Sequence, residues 1–417
     1  MVLALILAAC QPSASASPTE SAAANGGEDP AAICAADEFG CVEVAAGDDI
    51  LIGTALSITG GPANLGLDSQ WGAEVAGNFK NDEGGVLGHQ ISWVHEDAGC
   101  AEAETGQTAA QSLVVNEQLV AVIGTSCSRT AVPAAPVLAG LGITLFSPAN
   151  TSPTLTDPTS PEFAGEFYGR TAHNDLVQGA AVAKFACEQG FETAATVHDG
   201  STYADNLRQV FEREFDEQCG GTITSQQAVA IGEVDMTAVL TTIAADSPDF
   251  LYYPIFHPEG TLLTAAAEGF PGLEDTQLGS SDGLLGDPNF LDGAGDASLG
   301  MVMSGPACAG DFYENTFLPA YSDVSGEDTP VSVFHCHAYD AANMIFATIE
   351  EVALEDADGT LFIPRTAFRD TLFATENYEG LTGILTCDEN RDCADPDIRV
   401  SEIQEVDGEL AWVVIWP

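Results

Sequence analysis

The amino-acid sequence predicts an α/β fold built as two doubly wound parallel-sheet lobes, and three observations carry that prediction. The chain has 417 residues, more than one hydrophobic core usually organises, since single cores stop growing at roughly 250–300 residues. Apolar residues make up 45% and charged residues 18%, enough to fill cores without leaving the bulk of the chain disordered. From residue 48 onward, short apolar runs alternate with longer amphipathic stretches, the pattern of a parallel sheet covered by helices on both faces.

Taken in order, residues 50–56 read as a strand and 68–81 as a helix with Trp71, Val75 and Phe79 on one face, at the i, i+4 spacing of helix neighbours. A strand at 90–96, a helix over 103–116 and a strand at 119–124 complete β-α-β-α-β, and a further strand is read at 143–146. The pattern restarts with a strand at 194–198 and a helix over 203–218. A polar link, a helix over 235–244 and a strand at 250–254 follow, then a round through 262–267 and 276–279. No internal repeat is strong enough for a solenoid. Ligands of such sheets sit at the carboxyl ends of the strands, so those loops are where chemistry is sought.

Composition narrows the partners. Ten basic residues stand against 64 acidic ones, a net charge of −54, and Lys80 and Lys184 are the only lysines. A field of that sign repels nucleic acid and anionic lipid. So many carboxylates also repel one another unless salt screens them, which points to an acidic, halophilic surface, with an acidic habitat as the alternative. Eleven cysteines include no paired C-x-x-C zinc site. Apart from Cys10 they number ten, an even set suited to disulfides in an oxidising compartment. Sequence alone does not fix the pairing; nearest neighbours would join Cys34 with Cys41, Cys100 with Cys127, Cys187 with Cys219, Cys308 with Cys336, and Cys387 with Cys393.

The N-terminus reads as an export signal. Residues 2–9 are a short apolar run ending in small residues, and Leu7-Ala8-Ala9-Cys10 resembles the lipobox of bacterial lipoproteins. That resemblance implies removal of 1–10 as a signal up to an acylated Cys10, with no basic residue before the run as a departure from the pattern. The Ser, Ala, Pro, Gly and Glu content after it is that of a flexible spacer, so 11–47 is assigned as linker.

Several strand-end loops carry polar groups. Gly60-Gly61-Pro62-Ala63-Asn64-Leu65-Gly66 follows the first strand, but its spacing fits neither a P-loop nor a dinucleotide fingerprint. Gly124-Thr125-Ser126-Cys127-Ser128-Arg129-Thr130 closes the third strand. A helix start lined with hydroxyls suits a carboxylate, although taken alone a plain N-cap serine is the commoner reason for it. Ser147-Pro148-Ala149-Asn150-Thr151-Ser152-Pro153 is a second such turn, and two could face one ligand. Ser280-Ser281-Asp282-Gly283 ends a later strand; Asp282 could pair an ammonium group or merely cap backbone.

Taken together and in order, these pieces resemble the bacterial leucine/isoleucine/valine-binding family of ABC-transporter substrate-binding proteins, with the type I periplasmic binding protein fold. The matches run from about 50 to 416. They include Gly61-Pro62, Asp97-Ala98-Gly99-Cys100, Ile123 to Ser128, Ser147 to Thr151, Arg170-Thr171, Tyr252-Tyr253, His257-Pro258-Glu259, Gly279 to Gly283, and Ala338-Tyr339-Asp340-Ala341. The resemblance implies three crossovers joining lobe 1 (48–172 and 306–384) to lobe 2 (173–305 and 385–417). It implies Ser128 as the serine on a ligand carboxylate, and Asn150 and Thr151 as the turn offering backbone and hydroxyl groups. It likewise implies Asp282 as the acid on the ammonium, Tyr203 and Phe256 as aromatic walls, Leu65 as an apolar wall, and Cys100 with Cys127 as a disulfide. The turn before Leu65 is one residue shorter than in leucine-binding members, and Phe256 replaces a tyrosine, so pocket shape departs from theirs.

Functionally the resemblance implies an exported, lipid-anchored, monomeric binding protein on the extracytoplasmic face. It would capture a small branched-chain or related amino acid by hinge closure and hand it to an ABC transporter permease, without cofactor, metal or catalysis. The alternative is a ligand-sensing binding protein for short amides or urea, although no DNA-binding, kinase or spanning segment is attached. A hydrolase would need an activated nucleophile, and no G-x-S-x-G occurs. Asp388-Glu389-Asn390-Arg391-Asp392 begins like a calcium loop, but Cys393 and Arg399 stand where glycine and a bidentate acid are required. A disulfide-closed hairpin is expected there, and His335 and His337 are expected as buried rather than metal-bound.

Overall fold

The computed structural model describes residues 29–417; the signal and Cys10, and the linker as far as residue 28, lie outside the described residues. The remainder of the assigned linker is a correction. Asp29 caps helix α1 (Pro30–Ala36), and β1 (Cys41–Val44) pairs antiparallel with β13 (Leu361–Pro364). Val42 and Val44 are buried by that pairing, Cys34 and Cys41 are joined, and Asp37 accepts hydrogen bonds from Thr366. Its strand partner and Thr366 stand more than three hundred residues away and Phe39 packs on Phe167, so its local composition hides its order.

The first sheet follows in sequence: β2 (Ile50–Leu56), α2 (Ala63–Asp82), β3 (Ile91–Asp97), α3 (Ala103–Leu113), β4 (Leu119–Gly124), α4 (Ser128–Ala139), β5 (Thr144–Ser147) and β6 (Tyr168–Arg170). Its order is β3-β2-β4-β5-β6, parallel throughout. Helix α2 starts five residues earlier than the apolar spacing indicates, so Leu65 lies in its first turns. Gly66 permits this: a Cβ there would stand 2.0 Å from the Ser57 carbonyl oxygen.

The second sheet begins with α5 (Asp175–Gln189), β7 (Thr193–His198), α6 (Thr202–Cys219), β8 (Thr222–Ala228), α7 (Thr237–Ala244), β9 (Phe250–Tyr252), α8 (Glu259–Ala267), β10 (Gln277–Ser280), α9 (Pro288–Ala294) and β11 (Val302–Pro306). The chain then returns to the first sheet through α10 (Leu318–Ser325), α11 (His335–Val352), β12 (Leu354–Glu355), β13, α12 (Arg365–Phe373), β14 (Tyr378–Gly380) and β15 (Gly383–Leu385). It ends on β16 (Ile398–Val406) and β17 (Glu409–Trp416) in the second sheet, whose order is β17-β16-β11-β10-β9-β7-β8. The chain thus passes between the sheets three times. The expected polar link after α6 is strand β8, an edge strand whose Thr-, Ser- and Gln-rich sequence carries no apolar signal because it is only partly covered.

One core lies around the second sheet, where Phe211, Phe250, Leu251 and Tyr252 are buried. The first sheet has a core on each face, one against α11 and one under α3 and α4. All five nearest-neighbour disulfides are present.

Candidate functional site

Both sheets reverse strand order beside a central strand: β2 between β3 and β4, and β7 between β8 and β9. Crevices at such switch points are where open α/β sheets bind ligands, and here the two crevices face each other. They close on a narrow cleft that leaves no room for even a water molecule between its walls. The first sheet supplies Leu65, Ser126, Cys127, Ser128 and Ala149; the second supplies Tyr203, Phe256 and Asp282. Five of the seven binding residues expected from sequence therefore line one cleft, on its two facing sides. Larger open grooves exist, and one of them is walled by α11, α12 and β14 rather than by strand-end loops.

On the first-sheet side, Ser128 is the first residue of α4, whose Cys127 cap makes no side-chain hydrogen bond. The Cys100–Cys127 disulfide ties this start to the loop after β3. Ser147 Oγ accepts from the backbone N–H of Ala149 and Asn150 and donates to the Thr125 carbonyl, which holds the second hydroxyl-rich turn. Asn150 is fully buried behind that turn, its Oδ1 accepting from Thr125 Oγ1 and Tyr168 OH, so its side chain is not on the cavity wall. Thr151 is also off the wall and buried; its Oγ1 lies 3.1 Å from Asp175 Oδ2.

On the second-sheet side, Asp282 is 4% exposed. Its Oδ1 accepts from Gln178 Nε2 at 2.7 Å and from Tyr203 OH at 3.0 Å. Burial pushes its carboxyl up to about 6, against the pull of those two donors. Burial pushes Asp175 well above the usual carboxylate range too, and the nearby Asp282 charge adds to it. Tyr203 and Phe256 pack ring on ring with centroids 5.1 Å apart.

The lobes are closed on each other. Asn64 Nδ2 donates to Asp287 Oδ1 at 2.7 Å, Thr202 Oγ1 to Glu162 Oε1 at 2.9 Å, and Asn206 Nδ2 to Ser152 Oγ at 3.1 Å. Gly61 allows the approach, since a Cβ there would stand 2.6 Å from the His257 carbonyl oxygen. Behind the site, Arg170 is fully buried and pairs with Asp392 through Nε at 2.6 Å and Nη2 at 3.0 Å, while Nη1 holds the Asn150 and Ser152 carbonyls. This side chain fastens the second turn to the third crossover, where Cys387 and Cys393 close the loop.

Sequence reasoning missed Phe334, buried beside Leu65, Ala149 and Phe256, and missed Asp175, Gln178 and the Arg170–Asp392 pair. An aromatic just before an amphipathic helix at a crossover was the one signal for Phe334. Cys308, His335 and Cys336 bring possible metal-ligand atoms within 4.8 Å of one another. The two sulfurs are joined to each other, however, and the His335 nitrogens meet Asp68 and Tyr313. Burial lowers His173 to about 4 and His337 to about 3, so both stay neutral near pH 7.

The family model described as periplasmic binding protein matches residues 49–408. The leucine-, isoleucine-, valine-, threonine- and alanine-binding protein of Pseudomonas aeruginosa is 28% identical over 359 residues, 86% of this chain and 90% of that one. The Leu/Ile/Val-binding protein BraC3 of Rhizobium johnstonii is 29% identical over 348 residues, 81% and 89% of the two chains. Among solved structures, the leucine binding protein of Thermotoga maritima has a TM-score of 0.75 at 24% identity, covering 88% of this chain and 99% of that chain. A solute-binding protein of R. palustris in complex with 4-hydroxybenzoate reaches the same TM-score at 18% identity, with 88% and 96% covered. The fold is thus shared by proteins holding different ligands, and ligand class must be argued from the cavity.

Proposed function

The chain belongs to the periplasmic binding protein family, and from that premise we propose that it captures a branched-chain or related small α-amino acid by hinge closure and delivers it to an ABC transporter permease. It is a binding protein rather than an enzyme. One observation carries the ligand class: a narrow cleft between the lobes has Ser128 and the start of α4 on one side and Asp282 on the other, with Leu65, Tyr203 and Phe256 between. Hydroxyl and N–H donors suit a carboxylate, a buried acid suits an ammonium, and the apolar residues suit a short aliphatic side chain. The relatives bind amino acids by name, which agrees with that division of labour. In this reading Ser128 holds the carboxylate, and Asn150 and Thr151, whose side chains stand off the wall, contribute through the backbone of their turn. Asp282 holds the ammonium, and lobe 2 folds over a ligand already seated on lobe 1.

The anchor belongs to the same proposal. Acylation of Cys10 would keep the folded body, as a monomer, at the extracytoplasmic membrane surface. Among the described residues no helix is long and apolar enough to cross a membrane. Native mass spectrometry of the chain purified without denaturation tests the ligand reading. A co-purified branched-chain amino acid supports it; a bound urea or short amide, or turnover of an added substrate, replaces it.

A further inference from the structure

Gln178 is a fully buried amide on α5 that stands off the cleft lining. Its Nε2 donates to Asp282 Oδ1 at 2.7 Å and lies 3.0 Å from Ser304 Oγ and 3.2 Å from the Ser304 carbonyl. An amide nitrogen has two hydrogens, so one meets Asp282 and the other meets Ser304, near the end of β11 where the chain leaves the second sheet. Gln178 Oε1 meets Nε2 of His173, which stands in the first crossover between β6 and α5. One side chain thus ties the acid on the cleft wall to residues beside two of the three crossovers.

The neighbours of this amide fix which way it points. An ionised carboxylate only accepts, so the nitrogen faces Asp282 and the oxygen faces His173, whose Nε2 carries the hydrogen. The opposite tautomer would set a ring lone pair against Oε1 and leave an N–H on Nδ1, which is buried with no hydrogen-bond partner. His173 is itself held in place. Its ring stacks on Phe334 with centroids 6.1 Å apart and planes 11° from parallel, and Phe334 packs with Leu65, Ala149 and Phe256 beside the cleft. On Asp282, Gln178 Nε2 and Tyr203 OH both donate to Oδ1. Oδ2 is then the oxygen offered to a ligand.

We propose that Gln178 is a positioning residue for ammonium recognition: oriented by His173, its amide holds Asp282 by Oδ1 and so turns Oδ2 toward the cleft. The terminal torsion of an aspartate is soft. Tyr203 alone does not fix it, because its hydroxyl also meets Ser281 Oγ at 2.6 Å; a second donor on the same oxygen fixes where that oxygen lies, and with it the plane of the group. The inference rests on the reading of Asp282 as the ammonium contact.

Calorimetry on wild type and Q178M, with L-leucine and with 4-methylpentanoate, the same skeleton without the ammonium, tests this. Methionine keeps the length of the side chain and removes both amide groups. Q178M is expected to bind leucine about ten- to a hundredfold more weakly, the loss of one hydrogen bond to a charged group, and to bind 4-methylpentanoate within about threefold of wild type. A merely structural role would weaken both ligands together. A parallel loss, or leucine binding unchanged in Q178M, therefore overturns the inference, while a wild-type preference for leucine leaves the ammonium reading standing. A wild-type chain that binds both ligands equally overturns that reading and this inference with it. Should Q178M fold poorly, the ring nitrogen-15 shifts of His173 in the wild-type chain decide. A hydrogen on Nε2 and a bare Nδ1 at pH 7 support the inference; a hydrogen on Nδ1 alone turns the amide oxygen toward Asp282 and overturns it.

Discussion

Replacing Asp282 by asparagine should move binding and stability in opposite directions. In the ligand-free chain the carboxyl is nearly fully buried and raised from 3.8 to about 6. A folded-state value above the unfolded one means that the native state holds more protons between those pH values, so stability falls as pH rises through that window. At about 1.4 kcal/mol for each tenfold change in proton affinity, ionised Asp282 costs the ligand-free fold on the order of 3 kcal/mol above pH 6. The amide introduced by D282N keeps the shape and an acceptor for Gln178 and Tyr203 without the charge. Its unfolding midpoint at pH 7.5 should therefore exceed that of wild type by a few degrees, with the difference closing toward pH 4. Binding should suffer, because removing one member of a buried charge pair costs about 2–5 kcal/mol, or about thirtyfold to several thousandfold in Kd. Differential scanning calorimetry without ligand and isothermal titration with L-leucine measure the two arms. A variant that binds leucine as tightly as wild type, or whose midpoint falls, refutes the reasoning.

Two further outcomes follow from buried and surface charge. D392N strands the fully buried Arg170 guanidinium, which should cost about 3–5 kcal/mol, read as a lowered unfolding midpoint; because burial raises Asp392 but Arg170 more than offsets it and holds the carboxyl below its ordinary value, the wild-type advantage should be complete at neutral pH and fade as pH falls through the acid range. An unchanged midpoint at neutral pH contradicts this. Sixty-four acidic residues against ten basic ones should make the fold salt-dependent, its midpoint rising between about 0.1 and 3 M KCl as the screening length shrinks to a few ångströms; a midpoint indifferent to salt removes the halophilic reading.

What the sequence discloses, and what it does not, follows from the range of the interactions. The strands 50–56 and 119–124 are buried, largely apolar runs and are legible as such. The loops after them carry Ser128 and, with the later strand end, Asp282, because strand ends are fixed by the fold class. Strand β8 is illegible because an edge strand needs no apolar face. Residues 29–47 look like spacer because their order depends on β13 and Thr366, far along the chain. Arg170 and Asp392 are 222 positions apart, and Gln178 reaches Asp282 across 104; no local pattern announces such pairs. The sequence points Asn150 toward the ligand, yet its side chain serves Thr125 and Tyr168, a choice made by the depth of the turn rather than by residue type.

In the proposed binding mode a dipolar guest is gripped at both ends, by donors of one sheet and a carboxylate of the other. Calorimetry with L-leucine and two analogues measures this: 4-methylpentanoate, which lacks the ammonium, and 3-methylbutylamine, which lacks the carboxylate. Leucine should bind, and each analogue should be weaker by about a hundredfold or more. An analogue that matches leucine in affinity would contradict the claim that both charges are held.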